Sequence, residues 1–365
     1  MHRPQTKHAQ QESPLSKRNL QSVTLKDIAN VLGMAHTTVS RALNDHPKIS
    51  TDTKVRVRET AVKLGYVKNS GARSMRMGAT RLVGLIVPDV QNEFYSAAAQ
   101  SMADECSLLG YQMVLSVSDD DPLREEQHIR ALRENRAAGV LIAPTGKPTA
   151  MSVELMQNVP TVQFLRCNPK LGSNWVLADD VDGTFKATEH LITLGHTRIA
   201  FLGGWLEVST GQRRIAGYEA ALRKHGLEVD PALQRFGPPR PEFGETALDS
   251  LLNDSTGLSA IVVGSSRQLL GVMRRVRSNG MTVPDSLSVV GYGDADWFQV
   301  SNPQISAMSL PISEMSARAT QLLFALIHEG RTGRSRKTQP MFATELITRG
   351  STARRGTGGD SQRTK

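Results

Sequence analysis

Two kinds of hydrophobic pattern divide the chain. From Arg81 onward, short apolar runs alternate with stretches of helical period: RLVGLIVP (81–88), a helix over 94–109, YQMVLSVS (111–118), a helix over 122–136, GVLIAP (139–144), a helix over 150–157 and PTVQFL (160–165). After a break the alternation resumes with a helix over 182–194, TRIAFLGG (197–204), helices over 210–225 and 244–253, SAIVVG (259–264), a helix over 265–279, SLSVVGYG (286–293) and a helix over 312–329. Apolar runs of strand length separated by helices predict parallel strands covered on both faces. The runs are too many for one comfortable sheet. The expected fold of this part is therefore α/β, two doubly wound parallel-sheet subdomains, with ligands held beyond the C-terminal strand ends.

Ahead of this body the pattern is helical only. Thr24 with Asp27 three residues on is a capping-box spacing, placed before Ile28, Ala29 and Leu32. Gly33 suits the left-handed stop of that helix. A second helix is predicted over 36–44, and a third from Ser50–Asp52 to Leu64–Gly65. Ile28, Leu32, Val39, Leu43, Val55 and Val62 are the candidate core, with Ala61 and Leu64 on the buried side of the third helix. Two short helices joined by a glycine turn form a helix-turn-helix, whose second helix enters the DNA major groove. In LGMAHTTVSRALN (32–44), Val39, Ala42 and Leu43 then face the core, and His36, Thr37, Thr38, Ser40, Arg41 and Asn44 are left for DNA. An arginine can fork to guanine, and Thr or Ser can meet bases or phosphates.

Charge strengthens that reading. Residues 1–80 hold 14 Lys/Arg against 5 Asp/Glu, while the remaining residues hold 30 of each. The whole net charge of +9 therefore sits in the N-terminal fifth. A basic module on a neutral body is the electrostatic footprint of a nucleic-acid binder. The two cysteines, Cys106 and Cys167, read as free thiols in a reducing compartment. No apolar run is long enough to span a membrane, and the first 20 residues are polar throughout, so a cytoplasmic protein is expected.

VTLKDIANVLGMAHTTVSRALNDHPKISTDTKVRVRETAVKLGYVKNSGARSMR (23–76) resembles the headpiece of the lactose-repressor (LacI-type) family. By that resemblance His36, Thr37 and Arg41 read bases, and Thr24, Ser40, Asn44, Lys48, Ser50, Thr53, Tyr66 and Asn69 hold the DNA backbone. Ala35 departs from the Ser or Thr frequent before the family's recognition helix, and alanine supplies no cap. NSGARSMRMG (69–78) matches the family's hinge helix. There Ala72 would pack against bases, Met75 would stand for the usual leucine wedge, and Arg73 and Arg76 would meet phosphates.

The body resembles the family's sugar-binding part in VGLIVPD.QN.F (83–94), ADDVDGTFKATEHLITLGHTRIAFLGG (178–204), VPDSLSVVGYGD (283–294) and TELITRGST (344–352). Strand-end residues are then the candidate effector contacts: Asp89, Asn92, Phe94, Arg166, Arg214, Ser265, Ser266, Arg267, Asp294 and Trp297. Each has an ordinary alternative. Asp89 suits a helix cap, Trp297 packing and Arg214 a surface ion pair. Ser265-Ser266 stands where many relatives carry Asn-Asp, and Asp294 lies one place later than usual. Arg166, Arg214 and Arg267 would suit a clamp on a carboxylate or phosphate, so a sugar acid such as gluconate is the finer expectation.

The implied domains are a disordered leader (1–21), a helix-turn-helix DNA-binding domain (22–67), a hinge helix or linker (68–80), an effector-binding and dimerisation domain (81–350) and a disordered tail (351–365). The implied protein is a repressor acting as a homodimer on a near-palindromic operator in double-stranded DNA, under allosteric control by a sugar or sugar acid. It needs no cofactor and no membrane. An enzyme is the first rival, but the chain has no Gly-x-Gly-x-x-Gly after a strand, no P-loop, no Gly-x-Ser-x-Gly elbow and no metal-spaced His/Cys cluster. A transport-type binding protein would carry a signal peptide and lack a basic headpiece. A general nucleoid protein would not need the large body.

Overall fold

A computed structural model describes residues 23–66, 80–254, 256–329 and 339–355. It separates into two compact units, Met1–Arg76 and Met77–Lys365. The predicted hinge residues Asn69, Ala72, Arg73, Met75 and Arg76 lie outside the described residues, as does the leader.

The first unit holds three helices: α1 (Leu25–Leu32), α2 (His36–Leu43) and α3 (Thr51–Lys63). Asp27 accepts hydrogen bonds at 2.7 Å from both the backbone N–H and the hydroxyl of Thr24, and so anchors the start of α1. Gly33 ends α1 in the left-handed region at φ +63°. Ser50 caps α3 by accepting from the Thr53 backbone N–H at 3.3 Å. Ile28, Ala29, Val39, Ala42, Val57 and Ala61 form the buried core. Val55 and Val62, expected inside, are 45% and 80% exposed. The helical period explains the exchange. Val57, Ala61 and Leu64 are spaced i, i+4, i+7 on one face, which excludes Val55 and Val62 from it.

The second unit contains two six-stranded, mainly parallel sheets. The first runs β11-β5-β4-β3-β1-β2, from β1 (Leu82–Val87), β2 (Gln112–Val117), β3 (Gly139–Ile142), β4 (Thr161–Phe164), β5 (Trp175–Ala178) and β11 (Met341–Phe342). The second runs β12-β10-β9-β8-β6-β7, from β6 (Ile199–Gly203), β7 (Gln234–Phe236), β8 (Ala260–Val263), β9 (Ser288–Tyr292), β10 (Ser306–Ser309) and β12 (Glu345–Ile347). In each sheet the first strand lies between the second and the third. This reversal of strand order opens a crevice beyond the C-terminal ends of β1 and β6. β12 is antiparallel to β10.

Helices cover the sheets: α4 (Glu93–Leu108), α5 (Pro122–Glu134), α6 (Ala150–Met156), α7 (Asp180–Thr193), α8 (Ser209–Lys224), α9 (Pro241–Asp254), α10 (Ser266–Ser278), α11 (Asp296–Val300) and α12 (Ile312–Glu329). α12 follows β10 of the second sheet but packs on α4, β3 and β4 of the first. The chain thus crosses between lobes after β5, before α12 and between β11 and β12. Close helix approach depends on glycine. A Cβ at Gly217 of α8 would lie 2.2 Å from the Val181 carbonyl oxygen, and one at Gly271 of α10 would lie 1.9 Å from that of Pro241.

The tail was expected to be disordered from residue 351, yet it is ordered through Arg355. Ser351 is fully buried, donating to the Val289 carbonyl at 2.6 Å and accepting from the Ser306 N–H at 2.8 Å. The Arg355 N–H donates to the Leu194 carbonyl at 2.8 Å. A short polar stretch without apolar period looks like a free tail in sequence. Here backbone bonding to the second lobe holds it.

Candidate functional site

The helix expected to read DNA is α2 of the first unit. Its N-cap, Ala35, has extended backbone (φ −65°, ψ 139°) and no side-chain cap, as its methyl requires. Val39 and Ala42 are fully buried, which fixes the rotation of α2. His36, Thr37 and Arg41 are left exposed, and Thr38 and Ser40 half-exposed. No carboxylate partners Arg41 among the described residues.

The residues expected on the DNA backbone have local roles as well. Asn44 donates from its amide to the Ser40 carbonyl at 2.8 Å. The Ser50 and Thr53 hydroxyls are 2.8 Å apart. The Lys48 backbone N–H donates to His46 Nδ1 at 3.2 Å, leaving its ammonium exposed. Tyr66 packs half-buried against the core, and Thr24 is tied to Asp27.

The second unit has a cleft of about 470 Å³ between its lobes, at the strand-order reversals. It is lined by eight of the ten predicted effector residues: Asp89, Asn92, Phe94, Arg166, Ser265, Ser266 and Asp294 at strand ends or helix starts, and Arg214 within α8. Two predicted residues lie elsewhere. Trp297, on α11, packs edge-on against Phe298 at 4.4 Å between ring centroids, half-buried against the core of the second lobe. Arg267 lines a smaller neighbouring cavity, where its Nη2 donates to Gln91 Oε1 at 2.5 Å. One residue after Ser266 on a helix, its side chain points about 100° away from the cleft.

Aromatic walls were missed at sequence level. Trp205, Tyr95 and Tyr292 all line the cleft. Trp205 follows β6 as Asp89 follows β1, so its position after GG was an available signal. Tyr95 was hidden because it lies inside a helix, beside Phe94. Glu93 was missed as well, although it is a cleft residue and accepts from the Ser266 hydroxyl across the lobes at 3.3 Å.

Charge in the cleft is arranged in pairs. Arg166 is bound to Asp120, both nearly buried. Burial opposes the charge on Arg166, but nearby Tyr95 and Asp120 more than offset it and raise its pKa. Arg214 donates from Nε to Asp180 Oδ1 at 2.8 Å and from Nη1 to the Gly264 carbonyl at 2.5 Å, and its guanidinium lies 3.8 Å from the Tyr292 ring centroid. The Tyr292 hydroxyl donates to the same Asp180 oxygen at 2.7 Å. Burial, then the Asp180 charge, pushes the Tyr292 pKa well up and keeps it a donor. Asp294 accepts a two-pronged bond from Arg349 at 2.7 and 2.8 Å. By contrast Asp89, Glu93 and Asp296 have no ion-pair partner among the described residues. Asp89 and Asn92 cap locally, toward the N–H groups of Gln91 (2.7 Å) and Phe94 (3.1 Å). The Ser265 hydroxyl is buried without a partner in the cleft wall.

The expected three-arginine anion clamp is therefore not formed. Two of its members already hold carboxylates, and the third lies outside the cleft. Backbone strain marks the same place. Leu165 has φ +64°, and the next N–H, of Arg166, donates back to the Phe164 carbonyl at 2.7 Å, a strained γ-turn.

A model of bacterial regulatory proteins of the lacI family matches residues 24–69, and one of periplasmic binding protein-like domains matches residues 188–352. The transcriptional regulator GalR of Escherichia coli K12 is 30% identical over 304 residues, covering 83% of this chain and 89% of GalR. The chain belongs to the LacI family. A second relative, the HTH-type transcriptional regulator DegA of Bacillus subtilis 168, is 28% identical over 341 residues, covering 90% of this chain and 98% of DegA. Among solved structures, the regulator CelR in complex with cellobiose matches with a TM-score of 0.68 at 26% identity, covering 90% of this chain and 99% of CelR. The fold also matches the lac repressor dimer bound to operator and the anti-inducer ONPF, with a TM-score of 0.77 at 24% identity over 91% of this chain and 100% of that one. As a LacI-family member this protein is a DNA-binding transcriptional regulator and not an enzyme. No described helix is long and apolar enough to cross a membrane.

Proposed function

We propose that this regulator is a repressor whose homodimer places two α2 helices in successive major grooves of a near-palindromic operator. His36, Thr37 and Arg41 read bases, and Lys48, with the hydroxyl and amide groups around it, positions the phosphate backbone. The hinge segment 68–80 completes the contact through Ala72, Arg73 and Met75, with Asn69 at its start. A hydroxyl-rich carbohydrate bound between the lobes of the body controls operator affinity. It acts through its different affinity for the two interlobe arrangements.

One observation carries the effector assignment: an interlobe cleft lined by aromatic rings and carboxylates, whose two arginines, Arg166 and Arg214, are already paired. Such a surface stacks sugar rings and accepts from their hydroxyls. Neither guanidinium that lines the cleft is free for an acid, so an uncharged carbohydrate replaces the sugar acid as the class of ligand for this cleft. The reading is tested by titrating carbohydrates into the full-length protein bound to its selected operator. A neutral sugar should change operator affinity while gluconate does not. An acid-only response would refute the assignment.

A further inference from the structure

Beside the cleft lies a second chamber of about 300 Å³, also between the lobes. Pro88, Asp89, Trp205 and Pro239 line both spaces, so the two share one wall. The wall from the second lobe is the stretch GPPRPEF (237–243), whose Pro238, Pro239 and Pro241 fix its backbone. The opposite wall comes from the turn after β2. There Asp119 and Asp120 are consecutive non-glycine residues in the left-handed region, at φ +54° and +56°. Such a pair is held only where its surroundings enforce it, and it often marks a functional turn. It presents two carboxylates to the chamber. Asp119 accepts from Arg240 Nη2 across the lobes at 2.7 Å, and Asp120 holds Arg166 of the cleft. Arg267, lost to the cleft, belongs here, and its Nε is buried without a partner.

We infer that the effector is an extended carbohydrate of two or more rings, with one ring in the cleft and the next in this outer chamber against Trp205, Arg240 and Arg267. This rests on the carbohydrate reading of the cleft and deepens it. The outer chamber is richer in planar polar groups than the cleft. Guanidinium, carboxylate and carboxamide edges from both lobes converge on it, and these are the groups that pair with ring hydroxyls. A second ring there would contact Asp119 and Gln91 of the first lobe and Arg240 and Arg267 of the second. It would therefore favour the interlobe arrangement that brings these four residues together more than a single ring held in the cleft.

The test is calorimetric titration of full-length protein with gluco- and galacto-configured monosaccharides and the di- and trisaccharides built from them. A disaccharide should bind at least about tenfold tighter than either component. Arg240→Ala and Arg267→Ala should bring that ratio toward one. Lys147→Ala controls for interlobe bridging, since it breaks the 3.8 Å Lys147–Glu207 pair away from the chamber. It should leave the ratio intact. A monosaccharide that binds as tightly as its disaccharides, or a ratio unchanged in both arginine variants, overturns the inference but leaves the carbohydrate reading standing. If no member of the panel binds, both fall together.

Discussion

Arg214 and Asp180 form a buried ion pair, Nε to Oδ1 at 2.8 Å, with Asp180 fully buried and the Arg214 side chain 16% exposed. The pair joins α8 to the start of α7, and the guanidinium also roofs Tyr292 at the cleft wall. Arg214 is thus both a cleft residue and the counter-charge of a carboxylate that has no access to water. Arg214→Ala should therefore abolish the effector response and also cost about 3–5 kcal/mol of stability, because it leaves Asp180 charged and unpaired. Denaturant unfolding of the body measures the second effect. A loss below about 1 kcal/mol would mean the pair contributes little.

Arg41 is exposed on the DNA side of α2 with no carboxylate partner among the described residues. Arg41→Ala should weaken specific operator binding by about 1–3 kcal/mol and relax preference at one base pair per half-site. Competition binding against point-mutated operators reads both quantities. An unchanged preference removes Arg41 from base recognition.

Ala35 is an N-cap without a capping side chain, in backbone that serine adopts readily. Ala35→Ser should stabilise the headpiece by about 0.5–1 kcal/mol. Thermal unfolding followed by a probe in the headpiece should show a higher midpoint in the variant. No rise would show that α2 starts elsewhere.

His196 is nearly buried, with Nδ1 2.9 Å from the Ser259 hydroxyl and Nε2 donating to the Ala353 carbonyl at 3.1 Å. Burial lowers its pKa below 6.5, outweighing the bond to the Ala353 carbonyl that raises it, with the Arg355 charge adding to the lowering, and burial lowers that of His190 too. The unfolded chain therefore takes up these protons first as pH falls. Stability from these histidines is fully present above pH 6.5 and is lost as pH falls from there toward the folded-state values. His196→Gln should flatten the pH dependence of the melting temperature across that range. An unchanged slope would contradict a buried neutral imidazole.

Long elements were legible because their periods are unambiguous. The helix over 312–329 and the run 82–87 inside RLVGLIVP are where the pattern places them. β7, β11 and β12 have two or three residues each, too short for any period to register, and they exist through pairing with distant strands. Trp175–Ala178 fell in a stretch read as a break. Strand-end logic found most of the cleft because sheet topology alone puts those positions there. It failed for Trp297 and Arg267, where one helical step decides which side a residue faces. Pairing was invisible too. Nothing local to Arg166 reveals that Asp120, 46 positions away, neutralises it.

The most direct test of the account is selection of bound sites from random duplex DNA by the full-length protein at near-physiological salt. The account predicts one enriched motif with two-fold symmetry. Binding without enrichment, fading smoothly as salt rises, would leave phosphate attraction alone and contradict a sequence-reading α2.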